Sequence, residues 1–367
     1  MPERITLLSA QTPPHGGDVY HLARTLGIAL SDLLDFSANI NPLGFPPGIP
    51  RLIQEVLPEI VHYPDRRCLG LRQDLAAYHC LEPEQILVGN GSTELIYLAA
   101  RALQPRQALI VAPAFSEYEH ALNAAQVPVE FLVTREAQNF TLDQPPDPRA
   151  ADLVFLANPA SPSGMLLPPE RLLATVAALD AAGVYLLLDE AFVDFVEEAS
   201  FKGHLAQFPR VLILRSFTKF FGIPGMRLGY LLGDPELLVR LGENQEPWSV
   251  NTMAQAMGRH CLAEADYLAR TRALIGQERD YLLTGLAALP GLKTFPSAVN
   301  YLLIKLTQPG WTAAKLQQAM LAHRIVIRDA ANFRGLDERF FRIAVRARAE
   351  NERLLRALQD CLITGEL

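Results

Sequence analysis

The chain has 367 residues, half of them hydrophobic and a fifth charged, with a formal net charge of −7. That length is too great for one ordinary core and suggests two domains, and the composition fits a folded globular protein. The acidic balance argues against nucleic acid or an acidic membrane as partner, so an anionic ligand has to be held by a few local cations.

Four scattered cysteines, Cys68, Cys80, Cys261 and Cys361, form no CxxC pair. Their spacing supports neither a metal site nor a disulfide framework and suits a reducing, cytoplasmic setting. The N-terminal stretch lacks the apolar core of a signal peptide. No apolar run reaches the roughly 18 residues of a membrane span.

Short apolar runs recur in chain order: "ILVG" (86–89), "ALIVA" (108–112), "DLVFLA" (152–157), "VYLLLDE" (184–190) and "VLILRS" (211–216). They are apolar at nearly every position, as strands buried on both faces are, and they predict a largely parallel sheet. Helical patterns lie between them, one opening on Pro168 and Pro169 and closing at Gly183. "DQPPDPRAAD" (143–152) predicts a surface loop. After about Asn251 the character changes. A long helix is expected around 264–289, then "NYLLIKL", the helix "TAAKLQQAMLAH", the strands "RIVIRD" and "FFRIAVR", and a closing helix "AENERLLRALQDCL". The expected architecture is α/β: a large domain over 44–250, and a smaller α+β domain made by 1–43 and 251–367.

In such a sheet, ligands bind where strands end. "GNGST" (89–93) turns from a strand into a helix, where Gly91, Ser92 and Thr93 suit a phosphate, although an ordinary N-cap reads the same way. Asp189 and Glu190 end a buried strand, and a carboxylate there is costly without a cation. Asn158 follows another strand in "LANPASPSG", where it could serve as a simple turn residue. The cation comes from "SFTKFFGIPGMRLGYLLG" (216–233), which sets Lys219 in an apolar, glycine-punctuated run. A desolvated lysine has a lowered pKa and becomes a nucleophile; a snorkelling surface lysine is the alternative.

Together Ser216, Thr218, Lys219 and Arg227 resemble the lysine motif of the fold-type I pyridoxal-phosphate enzymes, and the other fragments fall in that family's order. The resemblance implies pyridoxal 5′-phosphate as cofactor. Lys219 would hold it covalently, Asp189 would pair with the pyridinium nitrogen, and Asn158 would hydrogen-bond the ring hydroxyl. Ser92, Thr93, Ser216, Thr218 and Arg227 would surround the phosphate, and Phe115 would stack on the ring. Tyr63, in "HYPD", would reach the phosphate of a neighbouring subunit, which implies a homodimer.

Within the family the pattern resembles the threonine-phosphate decarboxylases and, next to them, the histidinol-phosphate aminotransferases. "HGGDVYHLARTLGI", "LLDFSANINPLG", "PWSVN" and "GIPGMRLGY" lean to the decarboxylases, as does Phe192, where the aminotransferases carry a tyrosine. The implied reaction is loss of CO2 from L-threonine O-3-phosphate to give aminopropanol phosphate for cobalamin assembly. The alternatives are an aminotransferase using glutamate or 2-oxoglutarate, and a non-catalytic relative that keeps the fold for binding. By strand alternation Arg342, Arg346 and Arg348 share one face. The decarboxylase resemblance points to Arg346 for the substrate carboxylate, the aminotransferase pattern to Arg348. For the substrate phosphate the resemblance offers His15, Gly16, Asn39 and Arg328, with Asn158 also near the substrate.

Overall fold

The computed structural model describes residues 16–364. Its largest sheet has seven strands: β2 (Ile86–Gly89), β3 (Ala108–Ala112), β4 (Val129–Val133), β5 (Leu153–Ala157), β6 (Tyr185–Asp189), β7 (Val211–Ser216) and β8 (Gly229–Leu232), following the two-residue strand β1 (Leu34–Asp35). The order is β2-β8-β7-β6-β5-β3-β4. From β7 to β4 every pairing is parallel, and β8 runs against both its neighbours. The five apolar runs read from the sequence are strands here. Two strands escape that reading: β4 is a partly exposed edge interrupted by Glu130, and β8 lies inside the lysine stretch.

Alternation explains why the central runs are apolar throughout. In β7, Val211 and Ile213 enter one hydrophobic core while Leu212 and Leu214 enter the other. Both faces are covered, so no position can be polar without a partner. The helices Ser92–Leu103, Glu117–Ala124 and Pro235–Gly242 pack on one side, and Leu69–His79 and Pro169–Ala181 on the other.

Arg215, the next β7 residue on the first face, breaks the rule and is fully buried. Its guanidinium meets Glu190 (3.2 Å), Asp194 (2.8 Å) and Glu197 (2.5 Å), and Lys202 caps Glu197 at 2.6 Å. His79 completes the group through Tyr230 (2.9 Å) and Lys202 (3.2 Å). Burial, with Arg215 and Lys202 beside it, pushes that imidazole down to about 2, so it is neutral.

The predicted long helix spans Ala265–Ala287. Beyond it a four-stranded antiparallel sheet has β9 (Leu292–Thr294), β10 (Tyr301–Leu306), β12 (Arg328–Asp329) and β13 (Phe340–Ala344), in the order β12-β13-β10-β9. The predicted strand "RIVIRD" is divided. Its first half, β11 (Ile325–Val326), pairs in parallel with β1, and its second half, β12, pairs with β13. Residues 34–44 thus lie against the C-terminal part. Phe36 bridges Val326 and Ala344 through backbone bonds of 2.8 Å each, and Asn41 N–H donates to the Lys219 carbonyl (3.1 Å). The Asn41 amide also donates to Phe220 O (2.7 Å) and Thr271 Oγ1 (2.8 Å).

Removing the guanidinium of Arg215 leaves Glu190 and Asp194 buried and unneutralised. Arg215→Met is expected to lower the unfolding free energy by about 3–5 kcal/mol, as read by urea denaturation. A loss below about 1 kcal/mol would mean that the network contributes nothing net.

Candidate active site

Five of the strand ends and the loops after them close around one cleft. Its wall includes Gly16, Asn39, Ser92, Thr93, Phe115, Asp189, Ser216, Thr218, Lys219, Arg227, Arg328 and Arg342. All but Arg342 were expected at a site from the sequence. Arg342 was one of three arginines left in contention, and the fold separates them. Strand β13 ends at Ala344, so alternation carries no further. Arg346 lies beyond it, donating to Asp35 O (3.0 Å) and Glu350 (2.7 Å), and Arg348 opens a helix and pairs with Glu278 at 3.0 Å. Neither Arg346, which the sequence favoured for a substrate carboxylate, nor Arg348 is among the residues that line the cleft. His15 lies outside the described residues.

The phosphate-like corner is built by close backbone approach. Helix Ser92–Leu103 has Gly91 at its N-cap, with no side chain to cap it, so the ordinary N-cap reading of "GNGST" fails. Gly91 has φ +82°, and a Cβ there would lie 2.7 Å from the Arg227 guanidinium. Gly229, opposite Ser216 in the β7–β8 ladder, abuts the Ser92 backbone nitrogen, 2.5 Å from where its Cβ would be. The Ser216 and Thr218 hydroxyls stand 2.8 Å apart. Two serines, two threonines and an arginine therefore surround an uncapped helix N-terminus, a donor set suited to a phosphate.

Lys219 sits on the short helix Phe217–Phe220, directly after β7. Burial first, then the charges of Arg342 and Arg227, lower its pKa from the ordinary 10.5 to about 8, against the opposing pull of Asp189. Asp189 is buried at the end of β6. Its Oδ1 accepts from Ala191 N–H (2.8 Å) and its Oδ2 from the Tyr118 hydroxyl. Burial pushes this carboxyl up, and those two hydrogen bonds and Lys219 draw it back. Glu190, next in sequence, points instead to Arg215.

Asn158 lies just behind the wall, between the lining residues Ala157 and Pro159. Its N–H donates to Asp189 O, and its Oδ1 accepts from Leu167 N–H, each at 2.9 Å. Phe192 lines the cleft and packs edge-on against Tyr301. Tyr63 is away from the cleft of its own chain, 79 % exposed and stacked on Trp248.

Arg328 and Arg342 face each other directly across the β12–β13 ladder. Arg328 donates to Asp329 O (2.7 Å) and Asn332 Oδ1 (2.8 Å). Arg342 reaches Ser161 and Ser37 O only at 3.5 Å, and its Nε has no partner among the described residues. Burial lowers both pKa values, that of Arg342 to about 10. Among the described residues of the wall, four cations, Lys219, Arg227, Arg328 and Arg342, thus face a single carboxylate, Asp189.

Residues 31–359 match the family described as aminotransferase class I and II. The chain belongs to that family. The relatives of this aminotransferase-family chain include the threonine-phosphate decarboxylase of Salmonella typhimurium, 40% identical over 95% of this chain and 96% of that one. A histidinol-phosphate aminotransferase of Anaeromyxobacter is 34% identical over 98% of each. Among solved structures, the L-threonine-O-3-phosphate decarboxylase of Porphyromonas gingivalis superposes with TM-score 0.82 at 30% identity, over 90% of this chain and 99% of that one. The histidinol-phosphate aminotransferase of Clostridium acetobutylicum gives 0.84 at 30%, over 90% and 100%.

Family membership makes this a pyridoxal-phosphate enzyme, and the cleft fits that group: an anion corner, a flanking aromatic, a buried carboxylate and an amine of low pKa. No helix among the described residues is long and apolar enough to cross a membrane.

Because the Lys219 amine is held near 8, covalent uptake of pyridoxal phosphate by the apoenzyme should titrate with a midpoint near that value. Arg342→Leu removes a repelling charge and should move the midpoint upward. Absorbance of the bound cofactor against pH reads both, and Lys219→Ala should abolish the visible band.

Proposed function

We propose that the protein decarboxylates L-threonine O-3-phosphate, releasing CO2 and leaving aminopropanol phosphate. One observation carries the reading: two buried guanidiniums, Arg328 and Arg342, are set directly opposite each other across the β12–β13 ladder and both line the cleft. Like charges placed opposite one another are unfavourable until anions arrive. A substrate bearing both a carboxylate and a phosphate supplies one anion for each. The similarity to threonine-phosphate decarboxylases over nearly the whole chain supports the same reading.

In this reading Arg342 takes the carboxylate, because its guanidinium is nearest to Lys219 in charge effect and is the less engaged of the two. Arg328, steadied by Asn332, takes the phosphate together with Asn39 and Gly16 on the same wall. The bound cofactor supplies the electron sink for the pair released when a bond at the α-carbon breaks. Asp189 would keep the ring nitrogen protonated, Phe115 would stack on the ring, and Asn158 would hydrogen-bond its hydroxyl. Ser92, Thr93, Ser216, Thr218 and Arg227 anchor the cofactor phosphate. The bond from Cα to the carboxylate breaks, CO2 departs, and the Lys219 ammonium delivers a proton to Cα. With a pKa near 8, that amine carries a proton in either direction close to neutrality.

The second reading is an aminotransferase, favoured by the histidinol-phosphate aminotransferase relatives. The two separate on acceptor dependence. The loaded enzyme given O-phosphothreonine alone should release CO2 in step with aminopropanol phosphate. Turnover only with added 2-oxoglutarate would establish the aminotransferase, and no CO2 from a yellow, loaded preparation would sink the decarboxylase. Arg328→Leu and Arg342→Leu should each cost about ten- to a hundredfold in kcat/KM, the value of a lost hydrogen bond to a charged group.

We also propose a homodimer in which Tyr63 serves the partner's cleft. Tyr63 lies among further exposed apolar side chains, Leu57, Ile60, Val61 and Trp248. Light scattering should give twice the 40.5 kDa chain mass, and a monomer active at the same concentration would refute the assignment.

A further inference from the structure

Asp189 is held by a residue that neither its strand nor the lysine motif provides. The strand β6 ends in this carboxylate, and Ala191 N–H, two residues on, takes Oδ1. The other oxygen is taken by the hydroxyl of Tyr118, from the start of helix Glu117–Ala124. Tyr118 is 1 % exposed, its ring stacked on Phe155 (centroids 5.1 Å apart) and edge-on to Phe115 (5.9 Å). One turn of chain thus presents an aromatic ring to the cleft and, three residues later, a hydrogen-bond donor to the buried acid.

A packing role needs the ring alone, since phenylalanine would fill the same space between Phe115 and Phe155. The hydroxyl has a separate task. Burial favours the neutral form of Asp189, and each donor to its oxygens favours the charged form. The phenol stays protonated at any working pH, because burial and the adjacent carboxylate push its own pKa well above the usual range. It is therefore a permanent donor, and a carboxylate held by two donors keeps both its charge and its orientation.

We propose that Tyr118 is the positioning residue for the cofactor's ring nitrogen, its hydroxyl holding the Asp189 carboxylate ionised and turned toward the cleft. The proposal rests on reading Asp189 as the partner of that nitrogen. The probe is pyridoxamine 5′-phosphate, which binds without a covalent link to Lys219, titrated calorimetrically into apoenzyme between pH 5 and 8. Tyr118→Phe should move the acid-side midpoint of binding up by about one pH unit, and so weaken binding by up to about tenfold on the acid side of that midpoint, the two being equivalent. The 1-deaza analogue, with carbon in place of the ring nitrogen, should bind wild type and Tyr118→Phe equally.

An unchanged midpoint in Tyr118→Phe, or an equal loss for the deaza analogue, overturns the proposal in favour of packing alone. Asp189→Asn tests the reading beneath it: wild-type affinity in that variant would remove the ring-nitrogen role of Asp189, and the proposal with it. Tyr118→His restores a ring N–H donor and should recover most of the affinity, with an imidazole titration imposed on the pH profile. Should Tyr118→Phe not be recovered folded, that profile decides. A midpoint unchanged by the imidazole means that position 118 does not act on Asp189.

Discussion

The cleft depends on one desolvated ammonium. Lys219 is partly withdrawn from water just beyond a strand whose first four side chains are sealed in two cores, and among the described residues of the wall its compensating charge is the single carboxylate Asp189. The guanidiniums of Arg227 and Arg342 make its protonation harder still. A chain that is acidic as a whole therefore contains a pocket short of negative charge. Such a pocket attracts anions without any general field, and the same imbalance lets the amine lose its proton near neutrality and act as a nucleophile.

A few ångströms along the same strands lies a second set of buried charges with the opposite balance. Arg215 and Lys202 meet Glu190, Asp194 and Glu197 within a closed group, so every charge has a protein partner. The two sets begin at adjacent residues, Asp189 beside Glu190 and Ser216 beside Arg215. Alternation sends one member of each pair to the ligand and the other to the scaffold. The saturated set gives rigidity, while the unsaturated one leaves room for ligand chemistry.

Much of this was legible in the sequence because burial on both faces writes itself as uninterrupted apolar runs, as in β3 and β7. This wall of the cleft was equally legible, since Ser92, Thr93, Asp189, Ser216, Thr218, Lys219 and Arg227 all line it and sit at strand ends marked by glycine or by a polar break. What stayed hidden depended on where elements stop. Alternation treated Arg342, Arg346 and Arg348 as equivalent, and only the end of β13 at Ala344 separates them. "RIVIRD" looked like one strand because its division between two sheets is a matter of partners, not of composition. Tyr118 was invisible for a related reason: it sits on a helix and its partner is 71 residues away at the end of a strand.

The parallel ladder between β1 and β11, with Phe36 wedged between Val326 and Ala344, ties the beginning of the chain to its end. Seen along the axis of biosynthesis, the cleft acquires an order of assembly. The residues of the phosphate-like corner lie between 92 and 227 and can come together while the remainder is still being made. Arg328 and Arg342 emerge near the end, and residues 34–36 have no strand to join until then. In chain order the phosphate-like corner therefore precedes the two arginines that face it, and Arg328 and Arg342 join a cleft whose other wall is already encoded upstream.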